Sequence, residues 1–396
     1  ALQAEAAGIE PSALMNPILL KPTTDVGSQV IVNGTVRGNM RAAEYFRHKT
    51  ALIPDIRRAY ETLASQYDII VIEGAGSPVE LNLKQDDIVN MGLAAMLRIP
   101  VLLVGDIDCG GIFSQLLGTF SLFEPQEQAL VKGLIVNRFR GDRSLFSDGV
   151  SILEQRSGRP VLGVVPFIKH DLEDEDSLSQ RLEKSRNTGI IDIAVIRFPK
   201  ISNFSDFAVM MWMRGSGMEK AVLSLAKRGF PIFGICGGYQ MLGDEIADPG
   251  HTECGGAIRG LGLLPSCKTV FLHEKTQTRT TGRFHAISGA FSCLSQAEFY
   301  GYEVHMGATE CALSSLTDRG GHYSEQIAGC YVHGLFDSAA VSGALVRRLY
   351  ELKGLRYDGE ETDRRTHRAQ QLDLLADTVR QNLDMQKIYQ IMEAGV

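Results

Sequence analysis

The sequence predicts an α/β protein with a doubly wound, mostly parallel sheet, followed by a second α/β domain. Its first part alternates short, continuously apolar strands with amphipathic helices, and polar, glycine-rich turns follow the strands. Such strands are typical of a parallel sheet that helices cover on both faces. In the second part Cys236 stands between glycines, after an apolar strand and before a helix. These observations predict a ligand-binding sheet joined to a domain with a cysteine nucleophile.

The composition is that of a globular protein large enough for two hydrophobic cores. The chain has 396 residues, of which 44% are hydrophobic and 22% charged, and its formal charge of −7 provides no basic surface for nucleic acid. No apolar run is long enough to cross a bilayer, so we expect neither nucleic acid nor membrane as partner. The seven cysteines are scattered, without a C-x-x-C pair. Together with the lack of a secretory signal, they indicate a reducing cytoplasm rather than a disulfide framework. The sequence does not define an oligomeric state.

The first domain is predicted to begin its strand and helix alternation after Tyr67. Strands are predicted at 68–72, 101–104, 133–136 and 161–166, and helices at 88–97, 111–122 and 147–155. Ligands bind beyond the carboxyl ends of parallel strands, where this chain has Glu73, Asp106, Asp108 and Asn137. A carboxylate beside glycines suits hydrated Mg²⁺ and nucleotide phosphates, although a single carboxylate at such a turn is more often a helix cap.

The second domain is predicted to start after a polar, turn-rich stretch at 183–190. Its predicted strands are 191–197, 230–235, 269–272, 277–282, 300–304 and 327–332, and its predicted helices are 239–246 and 339–352. A last helix over 364–392 has an apolar packing face. The predicted domains are therefore 1–186 and 187–357, with a C-terminal helical extension over 358–396.

Cys236 is the best candidate nucleophile, because a G-x-C-x-G turn between strand and helix exposes the residue at its centre. The following helix N-terminus favours the thiolate. A second apolar strand ends in His333, just before a glycine, which supplies a candidate base. The alternative is a buried cysteine in a tight turn.

Three runs of the second domain resemble the glutamine amidotransferase domain of the cobyric and cobyrinic acid amidating family: GICGGYQMLG at 234–243, GYEVHMG at 301–307 and YVHGLFD at 331–337. NPILLKP at 16–22, SQVIVNG at 28–34 and EGAGSPVELNLK at 73–84 resemble the synthetase half of the cobyric acid synthases. The resemblance implies a P-loop ATPase related to dethiobiotin synthetase, joined to a class I amidotransferase. It also implies a carbon–nitrogen ligase of cobalamin biosynthesis. Such an enzyme amidates the b, d, e and g carboxylates of a corrinoid, adenosylcobyrinic acid a,c-diamide, with ATP, Mg²⁺ and glutamine.

The resemblance assigns expected roles to individual residues. Cys236 attacks glutamine and forms a thioester, with His333 as base and then acid. The oxyanion and glutamine pocket is expected to contain Gly237, Gln240 and His305. Glu73 is the expected Mg²⁺ ligand and Asn137 faces adenine, while Asp106 and Asp108 lie near phosphate or substrate. Lys21, Gln29 and Asn33 are candidates for the corrinoid site, and Glu303 and Asp337 are candidates to orient His333.

The chain departs from the family pattern at three places. The phosphate loop G-x-x-x-x-G-K-S/T does not occur in the sequence, and we expect it upstream of Ala1. Near 205–217, relatives have room for a helix, a strand and a glycine loop that this chain lacks. Cys109 stands where relatives commonly have an arginine. Three alternatives stay open: cobyrinic acid a,c-diamide synthase, a non-catalytic remnant, and a cysteine hydrolase without a ligase partner.

Overall fold

The structure is a computed structural model that describes residues 2–24, 27–82, 84, 86–172, 189–196, 206–252, 255–359 and 363–396. Internal contacts divide the chain into two units: Ala1–Leu178 together with Arg368–Val396, and Ser179–His367. The first unit is therefore built from both ends of the chain. Most of the predicted boundary at 183–190 lies outside the described residues. The predicted domain limits stay predictions.

The first unit contains an antiparallel and a parallel sheet, each of three strands. The antiparallel sheet comprises β1 (Ile18–Thr24), β2 (Gly27–Val32) and β3 (Thr35–Arg41), and the parallel sheet comprises β4 (Val101–Asp106), β5 (Val131–Phe139) and β6 (Val161–Pro166). The helices are α1 (Leu2–Ala6), α2 (Ala42–His48), α3 (Ile53–Ala64), α4 (Met91–Leu97), α5 (Thr119–Leu122), α6 (Pro125–Leu130) and α7 (Ser147–Ser157), with a π-helical turn at Ser114–Gly118. The predicted strands from residue 101 to 166 are confirmed.

The predicted strand at 68–72 is wrong. This run is not hydrogen-bonded to any strand in the described part of the chain, and Val71 is 90% exposed. Apolar composition favours a strand, but a strand forms only beside a hydrogen-bonding neighbour. The predicted strand at 191–197 fails for the same reason over its described residues, 191–196, where Val195 is 86% exposed.

The second unit contains two sheets of four strands. Its strands are β7 (Ile232–Ile235), β8 (Glu245–Asp248), β9 (Gly256–Arg259), β10 (Lys268–Arg283), β11 (Glu298–Glu310), β12 (Ser315–Thr317), β13 (Gly320–Ser324) and β14 (Ile327–Cys330). Its helices are α8 (Asp206–Ser216), α9 (Met218–Lys227), α10 (Gly237–Leu242) and α11 (Ala339–Leu352). One sheet has the order β11-β10-β8-β9 and the other β12-β13-β14-β7. The two strands predicted at 269–272 and 277–282 are parts of β10.

The predicted C-terminal helix is two helices, α12 (Arg364–Asn382) and α13 (Met385–Ala394). Between them, Asp384 caps α13 by accepting from the Lys387 N–H at 3.0 Å, and its own N–H donates to the Leu162 carbonyl at 2.7 Å. Four residues of these helices and their junction pack against Ile135, Leu162 and Val165 of the first unit, namely Val379, Leu383, Ile388 and Ile391. The segment therefore contributes to the first unit's core. No helix in the described part of the chain is long and apolar enough to span a membrane.

A disulfide joins Cys267 to Cys311, contrary to the expectation of unbridged cysteines. The antiparallel register pairs Lys268 of β10 with Glu310 of β11, so the two cysteines stand at the next position beyond that pair. Their separation of 44 residues in the sequence concealed this pairing. Cys254 lies outside the described residues.

Candidate active site

Cys236 occupies a strained turn between β7 and α10. Its φ of 53° and ψ of −116° are unusual for a residue with a side chain. The Cys236 N–H donates to the Cys330 carbonyl at 2.9 Å, which fixes the turn to β14. A Cβ on Gly234 would come within 2.7 Å of the Gly238 backbone, so the close approach of strand and helix requires glycine. The structure thus has the elbow that the sequence predicts.

A short segment of β11 contacts both Cys236 and His333. The Cys236 thiol donates to the Val304 carbonyl, with 3.6 Å between sulfur and oxygen. Two residues earlier, Tyr302 exchanges backbone hydrogen bonds with His333 at 2.8 and 3.1 Å, and the two rings stack with centroids 5.0 Å apart. Strands β7 and β14 are parallel neighbours, with Ile235 opposite Cys330. The cysteine and histidine therefore follow adjacent strands at the same sheet edge.

Burial, together with the nearby His305, holds the pKa of His333 below its ordinary value. The neutral imidazole that a general base requires is thus favoured. Burial also raises the pKa of the Cys330 thiol to about 12, so this neighbour of the site stays protonated. Cys330 is accordingly a core residue and no second nucleophile.

His305 is positioned by contacts at both ring nitrogens. Its Nδ1 lies 2.8 Å from the Gly307 carbonyl oxygen, its Nε2 lies 3.3 Å from a Glu303 carboxylate oxygen, and its ring stacks on Tyr331 at 3.8 Å. Glu303 therefore contacts His305, whereas Asp337 pairs with Arg364 at 3.5 Å. Glu303 and His305 share a face of β11, and their i, i+2 spacing could have indicated this contact.

A buried hydrogen-bonded chain lies behind His305, and sequence reasoning missed it. The hydroxyls of Thr269 and Thr309 are 2.7 Å apart, and that of Thr309 is 2.6 Å from the Tyr331 hydroxyl. Gln240 donates its amide N–H to the same tyrosine at 3.3 Å, and this glutamine is only 3% exposed. Gln240 therefore faces the protein interior, and its predicted contact with substrate stays a prediction.

The region at 205–217, where the sequence analysis expects a glycine loop to be missing, is helical over most of its described residues. Residues 206–216 belong to α8, and Gly217, with a φ of 79°, connects it to α9. Gly237 is the first residue of α10, and the first N–H groups of a helix have no intrahelical acceptor. Gly237 is thus the backbone donor placed directly beside the thiol.

In the first unit, the structure brings together Asp106, Asp108 and Asn137 at the carboxyl ends of β4 and β5. Asp106 pairs with Asn137 in the strand register. Arg138 bonds to Asp106 at 3.1 Å and to Asp108 at 3.2 Å, and Arg140 bonds to Asp108 at 2.6 Å. The Arg140 hydrogen bond holds the pKa of the Asp108 carboxyl below its usual range. Positive charge at this edge thus comes from β5 and the turn after it.

The other predicted residues of this unit lie elsewhere. The exposed Glu73 accepts a hydrogen bond from the Gln3 amide at 2.9 Å. Lys21 and Gln29 are opposite each other on β1 and β2. Asn33 follows β2 with a φ of 48°, and its buried Oδ1 has no hydrogen-bond partner among the described residues.

Comparisons with known proteins find one domain family in each of the two units. A family model described as a CobB/CobQ-like glutamine amidotransferase domain matches residues 208–341, and one described as an AAA domain matches residues 39–175. These matches confirm the predicted fold class. The AAA match also argues against a cysteine hydrolase without a ligase partner.

Several curated relatives align with the whole chain and are named cobyric acid synthase. Cobyric acid synthases of Lachnoclostridium phytofermentans and Ruminiclostridium cellulolyticum are each 44% identical to this chain, cover 100% of it, and are themselves covered over 88% and 86% of their length. The enzyme of Salmonella typhimurium is 41% identical, with 99% and 87% covered. The first of these alignments spans 455 residues, so the relative has internal segments that this chain of 396 residues lacks. The sister diamide synthase and the non-catalytic remnant are not favoured. The chain belongs to the cobyric acid synthase family, glutamine-dependent amidotransferases of cobalamin biosynthesis.

Proposed function

We propose that this chain converts the b, d, e and g carboxylates of adenosylcobyrinic acid a,c-diamide to amides, giving cobyric acid, with nitrogen from glutamine and energy from ATP. The observation that carries the proposal is the strained Cys236 elbow, linked through residues 302–304 of β11 to His333. The sequence similarity to a cobyric acid synthase, 44% identity across the whole chain, supports the choice of substrate. The proposed location is the cytoplasm, where ATP and glutamine are available.

Glutamine hydrolysis is assigned to Cys236 and His333. The thiolate attacks the side-chain amide carbon, and the amide nitrogen leaves as ammonia after taking a proton from the imidazolium of His333. Water, deprotonated by the same imidazole, then attacks the thioester carbonyl and releases glutamate and the thiol. The depressed pKa of His333 supports this cycle, because the ring readily gives up the proton it has taken.

The negative charge that develops on the amide oxygen needs donors. Gly237 offers its backbone N–H at the start of α10, where the helix dipole adds a favourable field. His305 lies near His333 and is held between the Gly307 carbonyl and Glu303. We assign His305 to the glutamine pocket, and Gln240 supports it from the interior through Tyr331.

ATP and Mg²⁺ are assigned to the first unit. Glu73 offers a carboxylate oxygen, the ligand type Mg²⁺ prefers. Asp106 and Asp108 already bind the guanidinium groups of Arg138 and Arg140. Gly110 and Gly111 follow with positive φ, and a Cβ on either would meet no atom of the described residues within 4 Å, so their backbone is open to approach by a phosphate. Glu73 would thus supply one oxygen ligand to Mg²⁺, and the arginines would attract an anion at the sheet edge that holds Asn137. Bound Mg²⁺ would neutralise phosphate charge during carboxylate activation.

The corrinoid is assigned to the small antiparallel sheet. Lys21 and Gln29 are adjacent across β1 and β2, and both are half-buried. The side-chain oxygen of Asn33 is buried and has no hydrogen-bond partner in the described part of the chain. Such an acceptor is costly unless a donor reaches it, and the amide groups of the a,c-diamide are donors of the right kind.

The test uses glutamine labelled with ¹⁵N in its side-chain amide. The protein is incubated with ATP, Mg²⁺ and adenosylcobyrinic acid a,c-diamide, and the corrinoid is analysed by mass spectrometry. We expect the label in new amides. Cys236→Ala should lose transfer from glutamine and keep transfer from ammonium chloride, whereas Cys109→Ala, which alters an exposed thiol, should keep both.

Two outcomes contradict the proposal. Label transfer from glutamine by Cys236→Ala at the unaltered rate would overturn the nucleophile assignment. Amidation of cobyrinic acid at a and c, without further amidation of the a,c-diamide, would overturn the substrate assignment.

A further inference from the structure

Two cysteines and a histidine converge in the second unit, and none of the three has a role in the proposed glutamine chemistry. One ligand atom from each of Cys267, Cys311 and His322 lies within 4.8 Å of the other two. Cys267 directly precedes β10, Cys311 directly follows β11, and His322 lies in β13 of the other sheet. It is the only such group of ligand-type side chains among the residues that the structure describes.

The donor set is typical of a soft metal ion. Zinc binds cysteine sulfur at about 2.3 Å and histidine nitrogen at about 2.0–2.1 Å, which puts tetrahedral ligand atoms about 3.5–3.8 Å from one another. The two sulfurs are bonded to each other in the disulfide, and a ring nitrogen of His322 lies within 4.8 Å of both. Once the disulfide is reduced, the sulfurs can separate to this spacing by side-chain rotation. Cys267 is 1% exposed and packs in an apolar cluster with Leu242 and Leu264, whereas Cys311 and His322 are half-buried and leave the site accessible to an ion.

His322 is oriented as a metal-binding histidine is. Its Nδ1 is 2.5 Å from the Tyr239 hydroxyl, and the two rings stack. With Nδ1–H donating to the tyrosine oxygen, Nε2 carries the lone pair that a metal would bind. Metal-ligating histidines generally donate their second N–H to an oxygen in this way.

We propose that Cys267, Cys311 and His322 form a zinc site when the Cys267–Cys311 disulfide is reduced. A cellular dithiol supplies the two electrons and two protons, becomes a disulfide itself, and leaves two cysteine thiols. Zinc then displaces both thiol protons and binds two thiolates and the imidazole, with water in the fourth position. The cysteines border one sheet of the unit and the histidine lies in the other, so the ion would join the two.

The site also adjoins the glutaminase elbow. Tyr239, which orients His322, belongs to α10, the helix that begins directly after Cys236. Thr269 and Thr309, two positions inward from the cysteines, begin the hydrogen-bonded chain to Tyr331. Zinc would thus hold together the same strand ends that the disulfide holds in the oxidised protein.

The experiment uses the whole chain carrying Cys236→Ser, so that the active-site thiol cannot bind metal. The protein is reduced with a phosphine under anaerobic conditions and titrated with Co²⁺, whose thiolate charge-transfer band reports sulfur ligation, and Zn²⁺ displaces it. We expect one equivalent of Co²⁺ in the reduced protein and none after reoxidation. Cys267→Ser and His322→Gln should abolish the band or weaken binding more than about 100-fold, and Tyr239→Phe should weaken it about 10-fold. Cys293→Ser, which removes a thiol outside the cluster, should bind as the parent does.

A second measurement needs no variant of the site. In the reduced protein, Zn²⁺ should protect Cys267 and Cys311 from alkylation, read by peptide mass spectrometry, and leave Cys109 reactive. The proposal is overturned if reduced protein shows no thiolate band, if His322→Gln retains the parent affinity, or if Zn²⁺ gives no selective protection.

Discussion

Gly307 lies directly against the side chain of Gln240, where a Cβ on the glycine would overlap the Gln240 Nε2 and come within 2.8 Å of Thr269. This contact keeps the buried glutamine amide on the Tyr331 hydroxyl. Tyr331 in turn stacks beneath His305. A continuous series of contacts thus connects Gly307 to His305 through Gln240 and Tyr331.

Gly307→Ala should lower the free energy of unfolding by about 1–3 kcal/mol, because a well-packed site has no room for the added carbon. Glutamine hydrolysis should fall as Gln240 moves. Gly215→Ala is the matched control: it lies in α8 with no atom within 4 Å of an added Cβ, and should raise stability by about 0.5–1 kcal/mol. Urea unfolding measures both. Equal stability of Gly307→Ala and the parent would contradict the packing argument.

Cys236→Ala should abolish covalent labelling by an electrophilic glutamine analogue, because the analogue reacts with the activated thiolate in the elbow. Cys293→Ala, which removes a half-buried thiol outside the elbow, should label as the parent does. Mass spectrometry of the intact protein measures the adduct. Persistent labelling of the Cys236 variant at an unaltered rate would exclude this residue as nucleophile.

The acid limb of glutaminase activity should lie below pH 6.5, the ordinary pKa of histidine, because the pKa of His333 is lowered and the base must be neutral. His305→Asn removes the imidazole whose electrostatic interaction contributes to this lowering, so the acid limb should move to higher pH. His285→Asn, an exposed histidine that contacts the Ser315 carbonyl, should leave it in place. The dependence of kcat/KM on pH measures the shift. If the acid limb of the His305→Asn variant moves to lower pH or does not move, the assignment of this limb to His333 is contradicted.

Arg140→Gln should raise the pKa of the Asp108 carboxyl toward its usual range, because the Arg140 hydrogen bond is the largest cause of its depression. Arg143→Gln is the control, since Arg143 bonds to Asn382 instead. Carbon NMR of ¹³C-aspartate-labelled protein measures the titration. An unshifted Asp108 in Arg140→Gln would mean that Arg138 alone accounts for the depression.

Leu383→Ala should destabilise the first unit by about 1–2 kcal/mol, less than a fully buried leucine, because Leu383 is half-buried against Ile135 and Leu162. Leu374→Ala, at a side chain that is 45% exposed, should change stability by less than about 0.5 kcal/mol. Thermal unfolding of the parent and of both variants measures these changes in stability. Equal losses of stability in the two variants would show that Leu383 does not contribute to the core of the first unit.

Local pattern predicted the parts of the molecule that depend on neighbours in sequence. The limits of β6 and α11 agree with the prediction, and the glycines around Cys236 indicated the elbow. In each case the determining residues lie within a few positions of one another. The parallel strands β4 and β5 also placed Asp106 beside Asn137 as expected, since strand ends meet at one sheet edge.

Features that depend on distant partners were not predictable. The apolar run around Val71 resembles a strand but pairs with none in the described part of the chain. The arginines that bind Asp106 and Asp108 follow Asn137 in the sequence, yet only the strand register shows that they reach back to β4. The burial of Gln240 depends on Gly307, which lies in a different element. Pairwise geometry of this kind has no local signature.

The discontinuity of the first unit has a consequence for the order of events during synthesis. Ile135, Leu162 and Val165 leave the ribosome well before Val379 and Leu383, which cover them, and the whole second unit is made in between. At ribosomal rates of about 5–20 residues per second, this interval is on the order of ten seconds or more. During that time the apolar face of the first unit has no native cover. The second unit therefore has time to fold before the first is complete.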